Sequence, residues 1–344
     1  MASIRTGWPG AVLMAVALLA VVACGGGTDG PSTEKVPPSA SQGTPTASPS
    51  GLQVALASSD LSVGLNRLAF GIIDRQSGPL RGADVEVSTF HLTQAGQEGP
   101  IETVKAVFRR WPAALGGVYT VRLSFDRPGT WGLGVVIAEE GASPRTTSAR
   151  FEVSDTSATL AIGSPAPRGL SKTARDVERL EEMTTDPAPD PDLYAMTIAD
   201  ALGTGKPLML AFSTPLYCTS STCGPQLRVV KALKERYQDR MNFIHVEVWD
   251  NPLEIEGDLS RGRLSPTVTE WNLPSEPWTF IVDGDGLVSA KFEGFVTTEE
   301  LEEAVAWGIG RIIIDSIHEL ATLEEIAAVK GFSLKLAEEL KTYL

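Results

Sequence analysis

The hydrophobic pattern changes character four times along the chain. Residues 11–23 (AVLMAVALLAVVA) are an unbroken run of small and apolar side chains. From Gly25 to Ser50 there is almost nothing to bury, only Gly, Ser, Thr and Pro with a few charges. Between Gly51 and Ser157 short alternating runs take over, predicting strands at Leu68–Ile73, Asp84–Thr89, Ile101–Phe108, Val118–Phe125, Trp131–Ala138 and Arg150–Val153. Turn signals separate them at Ser77-Gly78-Pro79, Gly96 to Pro100, Gly116-Gly117 and Asp126-Arg127-Pro128-Gly129. Short strands at this spacing predict an antiparallel β-sandwich over residues 51–157.

Residues 160–310 read differently. Leu208 to Phe212 is a continuous apolar run of the kind shown by a strand covered on both faces. A loop with two cysteines follows, and then a helix from Gln226 to Arg240 with Leu227, Val230, Leu233 and Tyr237 on one side. Asn242–Val248 reads as a second buried strand, Thr267–Asn272 as a short helix, and Phe280–Asp283 as a third strand. Gly284-Asp285-Gly286 turns that strand into Leu287–Phe292. A helix is predicted over Tyr194–Leu202, and Thr297-Thr298-Glu299-Glu300 has the polar cap and acidic first turn of a helix start. Residues 311–344 are helical in pattern.

A length of 344 residues allows about two folded units with extensions, and 42% hydrophobic residues suffice to fill their cores. The formal charge is −14, and because Arg5 is the only charged residue before Cys24, a chain beginning at Cys24 carries −15. An acidic body repels phosphate backbones, so no nucleic-acid partner is expected. There are three cysteines, Cys24, Cys218 and Cys223. If Cys24 is modified, a single close pair remains, too few for a disulfide scaffold and the number a redox pair needs.

Thirteen apolar residues are too few to span a bilayer comfortably and suit a signal-peptide core. The run ends in Val21-Val22-Ala23-Cys24 and three glycines. This resembles the bacterial lipobox, which implies removal of residues 1–23, diacylation of Cys24, and a lipid anchor on the extracytoplasmic face of the cell membrane. Residues 24–50 then form a flexible linker. The alternatives are an ordinary signal peptide cut nearby and a buried apolar helix.

Residues 116–138 (GGVYTVRLSFDRPGTWGLGVVIA) resemble the YtkA-like and related immunoglobulin-like modules of exported bacterial proteins, with a Gly-x-Tyr strand followed by Pro-Gly-x-Trp. Some relatives bind copper through His and Met. This segment has one histidine, His91, and no methionine, so it reads as a spacer or interaction domain.

Ile162-Gly163-Ser164-Pro165-Ala166-Pro167, the Gly205-Lys206-Pro207 strand entry, the cysteine pair before a helix, and Pro277 to Gly286 (PWTFIVDGDG) together resemble the thioredoxin-like and alkyl hydroperoxide reductase superfamily. The resemblance implies an α/β thioredoxin-like domain over residues 160–310. It implies that Cys218 and Cys223 are the redox pair and that Pro277 follows a cis bond and faces them. Glu276 then lies beside the pair, Trp278 behind it, and Tyr217 keeps the aromatic before the first cysteine; Tyr217, Glu276 and Trp278 are the expected substrate contacts. The plain alternative for Pro277 is a trans proline at a strand entrance.

Departures from the family are visible. Four residues rather than two separate the cysteines, a gap a small Thr/Ser loop can still close. Cys223-Gly224-Pro225-Gln226 can also be aligned with Cys-Gly-Pro-Cys, the second cysteine lost. Helix-start physics favours the lower pKa at Cys223, whereas family order makes Cys218 the attacking thiol. Thioredoxins bury an acid in the strand before the cysteines, and Leu208–Phe212 has none. The Pro-x-x-x-Thr-x-x-Cys of peroxidases is absent, and no histidine lies between 246 and 317 for a Sco-type copper site, so no metal or cofactor is expected.

In the tail, residues 321–337 resemble a helix-hairpin-helix unit with Ser333 in place of the second glycine; its acidic balance makes it a packing appendage. The expected function is a membrane-anchored thiol-disulfide oxidoreductase acting on exported proteins with thiols or disulfides. Two alternatives remain open: a purely structural disulfide, and a non-catalytic binding lipoprotein that uses the fold as a scaffold.

Overall fold

A computed structural model describes residues 51–111 and 116–305. Cys24, the linker and the helix-hairpin-helix-like tail lie outside the described residues.

The first part is antiparallel throughout. Its strands are β1 (Leu52–Leu56), β2 (Gly64–Asp74), β3 (Gly78–Pro79), β4 (Asp84–Thr93), β5 (Gly96–Glu98), β6 (Thr103–Arg110), β7 (Gly117–Phe125), β8 (Gly129–Ala138) and β9 (Arg145–Val153). They join in the order β1-β2-β7-β6-β4-β8-β9, with β3 on β2 and β5 on β4. Alternation sorts the side chains: in β9, Thr147, Ala149, Phe151 and Val153 are buried while their neighbours face water.

The pattern predicted two stacked sheets, but one barrel-like sheet is observed. The reason is β6, whose first half, through Ala106, pairs with β4 and whose second half, from Val107, pairs with β7. One strand thereby serves both layers. The ends also approach each other: Thr147 Oγ1 donates to the Leu52 carbonyl at 3.1 Å, and Ser62 bridges Ser154. Trp131, Tyr119, Phe70 and Phe125 fill the interior. Strand β1 was not foreseen, being five residues long and following the polar linker; its Leu52 and Val54 are buried against β2.

The second part is a four-stranded mixed sheet flanked by helices. It contains α1 (Ile198–Gly203), β10 (Leu208–Ser213), α2 (Cys223–Tyr237), β11 (Asn242–Glu247), α3 (Pro252–Ile255), α4 (Pro266–Glu270), β12 (Trp278–Val282) and β13 (Val288–Glu293). The order is β11-β10-β12-β13, with β10 and β11 parallel and the other pairs antiparallel. Every residue of β10 is buried because both its faces are covered. Met209 and Ala211 enter one core with Leu227, Val230 and Leu233 of α2. Leu208, Leu210 and Phe212 enter the other with Trp271, Trp278 and Phe280.

Two helix starts differ from the pattern. Pro191–Tyr194 is a separate 3-10 turn, and α1 begins only at Ile198, because Thr197 and Asp200 cap each other reciprocally there. Helix α2 begins at Cys223, three residues before the expected Gln226, which leaves Pro225 in the first turn, where its missing N–H costs nothing.

The two parts are tied together by ion pairs. Arg67 of β2 donates from Nε to Glu300 Oε1 at 2.6 Å and from Nη2 to Oε2 at 2.9 Å. Its remaining donors reach the carbonyls of Glu293 and Phe295. Lys291 of β13 meets Asp60 at 2.8 Å, and Ser59 donates its N–H and hydroxyl to Glu293.

Candidate functional site

β10 delivers the chain into a loop of residues 214–222, and α2 takes it up again at Cys223. Cys218 and Cys223 are joined by a disulfide across that loop, with Cα atoms 5.9 Å apart, inside the usual span of such a bond. The turn that closes it passes through Ser221 at φ 57°, in the left-handed region, and the Ser221 N–H reaches the Cys218 carbonyl.

The two sulfurs are not equivalent. Cys223 is fully buried, whereas Cys218 is partly exposed. Cys218 Sγ lies 3.2 Å from the backbone N–H of Cys223, which donates to it, and 3.3 Å from Ser220 Oγ. The N–H is one of the unpaired donors at the start of α2, so the helix end is directed at the Cys218 sulfur. Gln226, which the alternative alignment puts in a cysteine's place, is fully buried. Its amide donates to Thr279 Oγ1 at 3.2 Å and accepts the Val296 N–H at 2.8 Å.

On the neighbouring strand Phe212 pairs with Trp278, so the residues just beyond the ladder, Ser213-Thr214 and Glu276-Pro277, lie side by side. The Glu276–Pro277 peptide is cis. The Glu276 carboxyl is half-buried, and desolvation pushes its pKa up against the opposing pull of the backbone and hydroxyl donors of Thr219. Thr219 follows Cys218, so Glu276 lies beside the disulfide loop. Trp278 is buried, stacks on Phe280, and donates from Nε1 to Ser275. Tyr217 stands apart from Glu276 and Trp278 in its bonding: its hydroxyl donates to the Pro252 carbonyl at 3.4 Å, holding the loop to α3.

A buried acid is present, but on β11 rather than β10. Glu247 pairs in register with Ser213 and is 5% exposed. Its Oε2 accepts the N–H and hydroxyl of Thr185 at 2.8 and 2.7 Å, while Oε1 is buried without a hydrogen-bond partner. Burial pushes its pKa up to about 7. The Thr185 hydroxyl also accepts the Leu216 N–H, two residues before Cys218. On the same face His245 is held between Tyr194, whose hydroxyl is 2.7 Å from Nδ1, and Ser213, whose hydroxyl is 2.8 Å from Nε2. Burial pushes this imidazole down to about 4.

The signal for Glu247 was available in the sequence, since an acid interrupts NFIHVEV at a position sharing a face with His245. Among the described residues no group of three or more His, Cys, Asp or Glu side chains is arranged to hold a metal ion.

No family model matches this chain, and no curated protein does. Several solved structures align with parts of it. A Chlorobium tepidum protein described as thiol:disulfide interchange protein DsbE shares 15% identity over 44% of this chain and 99% of its own, with a TM-score of 0.32. A thio-disulfide isomerase from Thermus thermophilus shares 18% over 43% and 97%, with a TM-score of 0.27. FetP of a uropathogenic Escherichia coli strain shares 11% over 33% and 94%, with a TM-score of 0.23. At these scores the likenesses add nothing to what the geometry of the site carries.

Proposed function

We propose that this chain is a thiol-disulfide oxidoreductase with a thioredoxin-like α/β domain, working through Cys218 and Cys223. One observation carries the reading: a disulfide at a strand–loop–helix junction in which Sγ of the partly exposed Cys218 accepts a helix N-terminal N–H while its partner, Cys223, is buried. A buried staple has no use for that asymmetry, whereas exchange chemistry needs one sulfur accessible and able to carry charge.

The step balances without a cofactor. A partner thiolate attacks Cys218 Sγ; the intramolecular S–S bond breaks, and its electron pair passes to Cys223 Sγ, which takes up a proton. A second thiolate of the partner then attacks the partner's own sulfur in the mixed disulfide and releases Cys218 as a thiolate. The partner has lost two electrons and become a disulfide, and the cysteine pair has been reduced. The same steps in reverse oxidise the pair.

For location, we infer that lipid on Cys24 tethers the chain to the extracytoplasmic face of a membrane, with residues 25–50 and the β-sheet part as spacer. The support is the small-residue run before Cys24 and the glycines after it. The partners are then exported proteins carrying thiols or disulfides.

The test is trapping. Cys223→Ser, which removes the resolving sulfur, is expected to accumulate a mixed disulfide when its Cys218 thiolate attacks a partner disulfide and releases the partner's other sulfur as a thiolate, and Cys218→Ser is expected to accumulate none. Equal trapping by both variants, or by neither, overturns the assignment.

A further inference from the structure

Glu276 is a carboxyl at the mouth of the disulfide site with no charge to balance it. Among the described residues no Lys, Arg or His forms an ion pair with it; its partners are the N–H and hydroxyl of Thr219. The loop beside it, residues 213–222 (STPLYCTSST), contains no charged side chain at all. The other carboxyl near the loop, Glu247, is sealed beneath it. Glu276 is thus the one charge-bearing group presented beside Cys218 among the described residues of loop and strand end.

A half-buried carboxylate without a counter-ion has lost part of its hydration and faces only the polar groups of Thr219 in return. A cation delivered next to it restores the balance, and an anion adds to the cost. A partner attached through its sulfur to Cys218 Sγ brings its neighbouring residues within one or two residue lengths of Thr219, so a long basic side chain there spans the gap to Glu276.

We propose that Glu276 makes this site selective for thiols and disulfides flanked by a basic residue, Lys or Arg within two positions of the reacting cysteine. The proposal rests on the oxidoreductase reading and names its substrate class. Selection arises from both signs: attraction of the basic flank, and rejection of an acidic one that would crowd a carboxylate already short of solvent. A net charge of −14 on the chain adds a longer-range pull in the same direction.

The experiment uses the oxidised protein and two reduced peptides of identical sequence, each with one cysteine pair, flanked by lysines in one and by glutamates in the other. The reading is the ratio of their rates of disulfide exchange, each divided by the peptide's rate with an uncharged small-molecule disulfide to remove differences in thiol acidity. The lysine peptide is expected to react about tenfold faster, in line with charge complementarity at an interface. The ratio is expected to shrink as salt is raised, to approach one in Glu276→Gln, and to invert in Glu276→Lys. A ratio unchanged by both substitutions and by salt overturns the selectivity while leaving the exchange reaction intact. Failure of both peptides and of dithiothreitol to reduce the wild-type pair overturns the oxidoreductase reading itself.

Discussion

The backbone N–H of Cys223 points at Sγ of Cys218, 3.2 Å away, so one member of the pair sits at the helix start and the other receives its field. Sequence position alone assigned the helix-start advantage to Cys223. The loop folds Cys218 back over the end of α2, so that this N–H is directed at the Cys218 sulfur.

In the reduced protein Cys218 is therefore expected to be the acidic, reactive thiol. At pH 7 its alkylation by iodoacetamide should exceed that of Cys223 by about tenfold or more, as for thiolates at helix N-termini. Mass mapping of the alkylated residue checks this, and preferential labelling of Cys223 contradicts it.

Glu247 and His245 share one face of β11 and oppose each other in pH dependence. Glu247 titrates at about 7 in the fold against 4.5 when unfolded, so its contribution is present below pH 4.5 and lost as pH rises through about 7. His245 titrates at about 4 against 6.5, so its contribution is present above pH 6.5 and lost as pH falls through about 4. Each is worth roughly 3 kcal/mol across its window. Between pH 4.5 and 6.5 the two slopes offset each other. Glu247→Gln removes one of them, and denaturant unfolding of that variant should show stability rising from pH 4 to 6.5, a slope muted in the wild type.

Gln226 binds α2 to β12 and to the segment leading into helical residues 298–305. Gln226→Leu strands the buried Val296 N–H and Thr279 hydroxyl, at a cost of about 2–4 kcal/mol. Thermal unfolding should fall by several degrees, with the Cys218–Cys223 bond still formed.

The Arg67–Glu300 pair joins the β-sheet part to the α/β part with both side chains largely buried, 10% and 7% exposed. Removing one partner leaves the other charge uncompensated, which costs about 3–5 kcal/mol. Glu300→Ala should lower stability by that order, and Arg67→Ala should cost less than the same amount again in its background. Additive losses contradict the pairing.

What could be read from the chain was what is local. The run Leu208–Phe212, the alternation in Val118–Phe125 and the turn at Gly284-Asp285-Gly286 each announce their element within a few residues. Closure of the β-sheet was not legible, because it depends on β6 changing partners midway, a matter of register between distant strands. The ties between the two parts were equally hidden: Asp60 and Lys291 are separated by most of the chain. At the site, local resemblance singles out Cys218, Cys223, Tyr217, Glu276, Pro277 and Trp278 from the sequence. Glu247 was missed because an acid in an apolar strand shows its burial only once Thr185 and Ser213 are placed against it.

The central claim is that the Cys218–Cys223 bond is an exchangeable one. Equilibrating the folded protein in thiol/disulfide buffers of graded ratio, with acid quench and mass counting of free thiols, tests it most directly. A single reversible two-electron transition, with the same midpoint approached from either side, is the predicted result. A pair that stays oxidised in strong dithiol until the protein unfolds would contradict the account.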